Sequence, residues 1–587
     1  MNHLHLLVEA ESFQQRGGWV IDQQFMEQMG SPFLLAHGLG RPVADAVTQV
    51  RLPRTGLYRV WVRTRDWVGE WKQPGTPPAH RADGSPGAFQ LLVNGQPLAT
   101  AFGTEGAQWH WQDGGTIEIK QPEITLALHD LTGFAGRCDA IFLTQDTGGE
   151  PADDWRRPAE VQAGGEFDFI VIGGGIAGVC AAVTAAREGL RVALVQDRQV
   201  LGGNNSSEVR VWLGGDTRFE PYPKIGNLVA ELEPAKRAHY GAGNTADLYE
   251  DDQRIAWCRA EKNLTLFLGW HVNEVAAAGS AIRSVIAQEI TTARRVRLAG
   301  RWFADCTGDG EVGFRAGADF DITLKQHMGP TNFWNIKDSG QPTTFPRCPW
   351  ALRLEDKPFP GRGEHFGQFA KPGISSLGGW FWESGFDRDP IAEGERIRDW
   401  NFRAMYGAWD TLKNVDGAYP NYELNFASYI AGKRESRRLL GDVVLTRDEV
   451  LANRDFADAC FPCTWSIDLH YPEKKFQSGF EGEEFISISM HDRYPQPFWA
   501  PYRCLYSRNI SNLFMAGRDI SVTHEALGAV RVMRTTGMMG EAIGLAAALC
   551  QEHSATPRDV YARYLRQFCE LLKRGVNQPK PGPHSQC

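Results

Sequence analysis

The chain has no apolar run of the roughly 18–20 residues needed to cross a bilayer, so membrane insertion is not expected. Its first residues, MNHLHLLVEAESF, lack a basic stretch followed by an apolar one, which as written is not a secretory leader. There is no stripe of Lys and Arg, and the net charge is −9. Neither nucleic acid nor an anionic membrane surface is therefore an expected partner. The 11 cysteines are odd in number and scattered, unlike a disulfide frame, so reduced thiols and a cytoplasmic setting are expected. Cys460-Phe-Pro-Cys463 has redox-type spacing but no thioredoxin-like βαβ unit around it. It also has no second CxxC to complete a zinc site. It is read as inert, and no metal site is expected.

What the chain has is length and tryptophan. At 587 residues it exceeds one hydrophobic core, which points to several domains or subdomains. A hydrophobic content of 42% and a charged content of 23% are those of an ordinary globular protein. The 19 Trp are many for this length. Trp in clefts stacks on sugar and other ring faces, although packing in cores and interfaces is its commoner use.

Residues 1–147 show no convincing long helix. Short alternating runs (HLLVEAESF, GLYRVWVRTRD, AFQLLVNGQPL, EITLALHD, RCDAIFLTQD) recur between turn residues, the pattern of an antiparallel β-sandwich. The opening EAESF, the GLYRVWVR strand and the closing CDAIFLT resemble jelly-roll carbohydrate-binding modules. That resemblance implies glycan binding through aromatic side chains and a calcium near the first strand. The alternative is a structural sandwich that braces the rest of the chain. Residues 148–166, rich in Gly, Pro and Asp without periodicity, read as a linker.

The rest is organised around FDFIVIGGGIAG, Phe167 to Gly178. An apolar strand breaks into Gly173-x-Gly175-x-x-Gly178 and then into the small-residue run VCAAVTAA. This order gives a strand, a tight turn and a helix whose free N–H groups at Ile176 and Ala177 can face a dinucleotide pyrophosphate. The next strand, RVALV, ends in Gln196-Asp197-Arg198, where an acidic residue would hold a ribose hydroxyl. Either Gln196 or Asp197 takes that place, and neither suits a 2′-phosphate.

Gly202-Gly203 directly beyond that strand resembles the glycine-rich segment of glutathione-reductase-like flavoproteins, which lies along the FAD pyrophosphate and ribityl chain. By that resemblance Asn204, Asn205, Ser206, Ser207 and Arg210 lie along the flavin; Ser206 or Ser207 could equally cap a helix. The same resemblance places Val272 against adenine and folds Thr307-Gly308-Asp309-Gly310 over the cofactor. It also assigns Gly517, Arg518 and Asp519 of NLFMAGRD to FAD, with the following helix aimed at the flavin. GDGEVG (308–313) also satisfies GxGxxG but has no new βαβ unit behind it, so no separate NAD(P)H site is expected.

Taken together, GGGIAG, LGGNNSSEVRVWLGG, DCTGDG, GKRESRRLLGD with IDLH, and NLFMAGRDIS resemble the FAD-dependent oxidoreductase family whose members often carry the loose label xanthan lyase. The expected architecture is multidomain: a β-sandwich (1–147), a linker (148–166) and a Rossmann-type α/β FAD domain in two parts (167–325 and 501–552). An inserted α+β substrate domain occupies 326–500, and a helix and tail 553–587. The implied reaction is oxidation of an alcohol carbon, most naturally of a sugar or glycoside, with a base taking the hydroxyl proton. His524 is the first candidate base. His470 is the second, with Asp468 two residues away on the same side of a strand. Basic AGKRESRRLLGD (431–442) either pairs its own charges around Glu435 or holds an anionic substrate. The electron acceptor is not legible, and oligomeric state is left open. Two rival readings are a glycan-processing protein with structural or transiently reduced FAD, and an RNA-modifying flavoprotein.

Overall fold

The computed structural model describes residues 5–146, 148–152, 155–156, 158–362 and 373–577. The expected tail, 578–587, lies outside the described residues. No described helix is long and apolar enough to cross a membrane.

The N-terminal region is built from antiparallel sheets, as the alternating runs require. One sheet orders the strands His5–Glu9, Ala140–Thr144, Gly56–Thr64 and His110–Ile119. A second orders Ala46–Arg51, Glu123–Asp130, Phe89–Val93 and Gln96–Pro97. Side chains alternate across the strands, so Val60, Val62, Leu91, Leu126, Leu128 and Ile141 from both sheets share one core. Of the expected linker, Trp155 packs edge-on against Trp111, and Arg156 bonds Glu9 and Asp139. The next strand starts at Val161, earlier than the composition suggests. An irregularity at Ala163/Gly165 lets this glycine-rich lead-in pair with Arg295–Leu298.

That strand, Val161–Ile172, lies centrally in a seven-stranded sheet. Val192–Gln196 and then Leu264–Leu268 run parallel on one side, and Arg295–Asp305 on the other. Leu513–Met515 adds in parallel beyond Arg295–Asp305, so a segment more than 200 residues downstream closes the sheet. The strands Trp270–Ala278 and Ala281–Glu289 form the antiparallel meander. The helix Ile176–Arg187 covers the sheet, and the 21-residue helix Met533–His553 crosses it. Small residues permit this approach. A Cβ on Gly540 would sit 2.1 Å from Ala177 O, and one on Gly544 2.5 Å from Thr184 Cβ. The stretch after AGRD, expected as one helix, is two, His524–Val530 and Met533–His553.

The intervening region is no free-standing insert. Its helix Gly394–Asp410 is buried from Ile397 to Asp410. One apolar cluster joins its Trp400, Tyr406 and Trp409 to Phe33, Trp67 and Trp71 of the N-terminal region. Ion pairs cross the same boundary: Arg137 to Asp399 at 2.5 Å and to Glu395 at 2.6 Å, and Arg398 to Asp22. Cys460 and Cys463 lie on the buried strand Ala459–Cys463, and burial pushes both thiols above the ordinary cysteine range.

Candidate active site

The first cleft opens where the central strand gives way to the glycine turn. Gly173 (φ +101°) must turn beside Cys306, whose O would lie 2.3 Å from any Cβ there. A Cβ on Gly178 would meet Gly173 O at 1.8 Å, so this glycine packs helix on turn rather than lining the cleft. Gly175 differs: it caps the helix, and the nearest atom to a Cβ would be Gly203 Cα at 3.9 Å. Open space therefore faces the first N–H groups of the helix, which have no partner inside it.

Gln196 lines the cleft, but its Oε1 accepts from Gly174 N at 2.6 Å and its Nε2 donates to Val200 O at 3.2 Å. It braces the turn and leaves Asp197 as the acidic group at the strand end. Arg198, Gly202, Gly203 and Asn204 also line the cleft, but Asn205, Ser206 and Ser207 do not. Asn205 holds Val211 O and Arg254, the Ser206 hydroxyl donates to Gly203 O, and Ser207 N donates to Asp251. These side chains fold the loop on itself, and no helix starts there for a serine to cap.

The opposite wall contains Val272, Thr307, Gly308, Asp309, Gly517 and Arg518. His271 joins it, with Nε2 3.3 Å from Glu311. Burial alone would lower the His271 pKa, but the Glu311 carboxylate raises it; burial acting upward on Glu311 is outweighed by His271 and Arg315, leaving it at about 2. Asp519 departs from expectation. It is fully buried outside the cleft lining, beside Asp305, and neither of its oxygens has a partner as an acceptor. Burial and then the Asp305 charge push its carboxyl well up. The aspartate of AGRD thus lies behind the cleft wall rather than in it.

Gln23, Gln24, Phe25, Glu27 and Gln28 of the N-terminal region complete this cleft. Gln24 fixes the segment through Nε2 to Tyr429 O (2.9 Å) and Oε1 from Ala431 N (2.8 Å), and Glu27 pairs with Arg437 at 2.8 Å.

A second cavity, about 360 Å³, adjoins the first. Asn204, Lys433, Arg518, Arg531 and Met533 line both, so the start of the helix Met533–His553 lies at the junction. Trp212, Tyr240, Phe333, Trp380 and Trp465 give the cavity apolar ring surface. His470 reaches it from the strand Ile467–Pro472. Its Nδ1 is 2.7 Å from Glu383 Oε2, and its Nε2 is 3.4 Å from Asp468 Oδ1. Burial acts upward on Glu383, but Arg434 and His470 outweigh it and keep the carboxylate ionised. Asp468 is likewise depressed, by His470 and Arg531 against its burial. Arg210, expected along the flavin, lines this second cavity and not the first. His524 lines neither: its Nδ1 is 2.8 Å from Glu435 Oε2, and Glu435 also pairs with Arg438 at 2.5 Å. Glu435 therefore gathers its own neighbouring charges.

The family model described as FAD dependent oxidoreductase matches residues 168–361 and 374–569. The chain belongs to the FAD-dependent oxidoreductase family. Among solved structures, the oxidoreductase is similar to the quinol fumarate reductase FrdA of E. coli, with 11% identity over 70% of this chain and 75% of that one, TM-score 0.32. It is also similar to a geranylgeranyl bacteriochlorophyll reductase-like protein of Thermoplasma acidophilum, with 11% identity, 70% and 84% coverage, and TM-score 0.31. A third likeness is p-nitrophenol 4-monooxygenase PnpA of Pseudomonas putida, with 11% identity, 71% and 90% coverage, and TM-score 0.29. Likenesses at these scores carry no argument about its reaction.

FAD is the cofactor of this oxidoreductase, and the donor set of the first cleft fits it. Gly175 and Gly203 leave backbone bare at a helix N-terminus, as a pyrophosphate needs, and Asp197 offers an acceptor for ribose. The buried Arg518 Nη1, at the junction of the two cavities, has no hydrogen-bond partner among the described residues. Glu383 and the 23–28 segment were not found from sequence. Glu383 lies in an aromatic run without a motif, and residues 23–28 belong to another sheet system. Among the described residues, no group of three or more His, Cys, Asp or Glu could hold a metal.

Proposed function

We propose that the oxidoreductase oxidises an alcohol carbon of a sugar or glycoside held in the second cavity. The observation that carries this reading is His470, fixed at Nδ1 by Glu383 in an aromatic-lined cavity that shares its wall with the cofactor cleft. When bound, FAD supplies a two-electron acceptor for the hydride leaving that carbon. The chain's own residues do the rest. Glu383 accepts a hydrogen bond from the Nδ1–H of His470, which leaves the Nε2 lone pair to take a hydroxyl proton. Asp468 Oδ1, 3.4 Å from Nε2, lies where the charge forms. The ring surfaces of Trp212, Trp380 and Trp465 suit the apolar faces of a pyranose and exclude water. Asp197 binds ribose, and the Gly173–Gly178 turn binds pyrophosphate. In this reading the parallel sheet is a Rossmann-type dinucleotide fold. The N-terminal sheets form a β-sandwich that closes the cofactor cleft through residues 23–28.

Anaerobic mixing of the holoenzyme with a panel of sugars and glycosides tests the proposal. Flavin absorbance is expected to bleach with at least one member and to recover only when an acceptor is added. Bleaching by another substrate class alone would refute the sugar reading. Turnover with no acceptor consumed would favour a transient oxidation cycle instead.

A further inference from the structure

The second cavity is lined by Arg210, Lys433, Arg434, Arg518 and Arg531 but by a single carboxylate, Asp468. Four of these cations have a carboxylate at hand. Lys433 pairs with Asp309, and Arg518 is 3.5 Å from the same residue. Arg434 is 3.4 Å from Glu383, and Arg531 is 3.2 Å from Asp468. Arg210 has no ion pair among the described residues.

Arg210 is nevertheless held firmly. Its Nε donates to Ser207 O at 3.0 Å and its Nη1 to Asn244 O at 2.9 Å, and its guanidinium lies 3.6 Å from the Phe426 ring centroid. Asn244 returns a bond to Arg210 O at 3.0 Å and is itself fixed by the Tyr249 hydroxyl at 2.8 Å. The backbone sits at φ +67°, a left-handed conformation that a long side chain rarely adopts and that surrounding structure must impose. Nη2 makes no hydrogen bond among the described residues. Burial disfavours the charged guanidinium; Tyr249 and Asp247 act against that cost without outweighing it, and neither forms an ion pair with Arg210 among the described residues. Elsewhere in the same cavity, Asp468 Oδ1 is a buried acceptor with His470 Nε2 3.4 Å away and no hydrogen bond among the described residues.

We infer that the substrate is an anionic glycoside whose charge is read by Arg210, with a ring hydroxyl donated to Asp468. Among the described residues, Arg210 alone of the five cations lacks an ion pair and its Nη2 is open, which suits the anionic oxygens of a uronide carboxylate, a sulfate ester or a phosphate. This inference rests on the oxidation reading but concerns binding, so the two can fail separately.

The test titrates the holoenzyme by calorimetry with methyl glucuronide, methyl glucoside 6-sulfate, methyl glucoside and glucose 6-phosphate. At least one of the charged ligands is expected to bind about tenfold or more tighter than the neutral glucoside. R210M should abolish the preference and R210K restore part of it, with circular dichroism and bound FAD confirming the fold of each variant. The preferred class among the three charged ligands identifies the group. Equal binding of neutral and charged glycosides, or a preference that survives in R210M, would each overturn the inference. Charge-blind oxidation would leave the oxidation reading standing. Arg210-dependent binding that never bleaches the flavin would refute oxidation and leave this inference intact.

Discussion

His470 and His524 look alike in sequence, each a histidine near an acidic or basic cluster, and only their surroundings separate them. His470 faces the second cavity with Glu383 behind it, whereas His524 lines neither cavity and is bound to Glu435. H524A is therefore expected to leave the rate of substrate-driven flavin reduction within a few-fold of wild type. It should instead lower the melting temperature, because Glu435 loses a buried partner. E383Q should lower kcat by at least about tenfold with little change in KM, since the glutamine can no longer enforce the Nδ1–H tautomer. A proportionate rise in KM would show that Glu383 shapes the pocket rather than the base. His470 and Asp468 could be picked out because their spacing puts them on one side of a strand. Their partner Glu383 could not, because it lies 87 residues away on a segment with no periodic signal. Gln196 was placed correctly at the strand end, but its hydrogen bonds to the turn are invisible to spacing.

The glycine turn was legible because each glycine answers a local demand, but the demands differ and so do the expected substitutions. G175A puts a methyl into open space at ordinary backbone angles, so the variant should fold and melt like wild-type apoprotein. Its FAD affinity should fall by about tenfold or more, because the methyl intrudes where the pyrophosphate approaches. G178A drives a methyl to 1.8 Å from Gly173 O and should fail to fold stably. Fluorescence titration of apoprotein with FAD, set beside thermal melts, separates the two. The segment 23–28 acts at the same scale. Q24A removes the bonds to Tyr429 and Ala431, and should speed FAD dissociation while the melt of the apoprotein changes little. Unchanged dissociation would show that this wall does not touch the cofactor. No local pattern marks this wall, because it forms only when two distant parts of the chain meet.

Across the whole molecule, the N-terminal sheets and the helix Gly394–Asp410 share one apolar cluster and several buried ion pairs. Removing one member of such a set leaves the others uncompensated, so E395Q is expected to destabilise by about 3 kcal/mol. Burial alone would raise the Glu395 carboxyl, but Arg65, Arg137 and Arg398 pull it from 4.5 down to about 2. Its folded pKa is depressed, so its contribution is complete above the unfolded value of 4.5 and fades as pH falls toward about 2. The gap in melting temperature between wild type and E395Q should thus be full at neutral pH and close over that acid window. A gap that does not change with pH would contradict the assignment. The strand-rich start and the parallel strands around the glycine turn could be read from hydrophobic alternation and glycine spacing. Their union could not, because Trp400, Trp409 and Phe33 look like any other core aromatics until the surfaces meet.

The central claim is that the second cavity is where substrate is oxidised and that His470 takes its proton. Anaerobic stopped-flow reduction of holo-H470N by a substrate of the wild-type enzyme tests it most directly. The account predicts unchanged FAD content and a reduction rate lower by about 10²-fold or more. Reduction of H470N at the wild-type rate would contradict it.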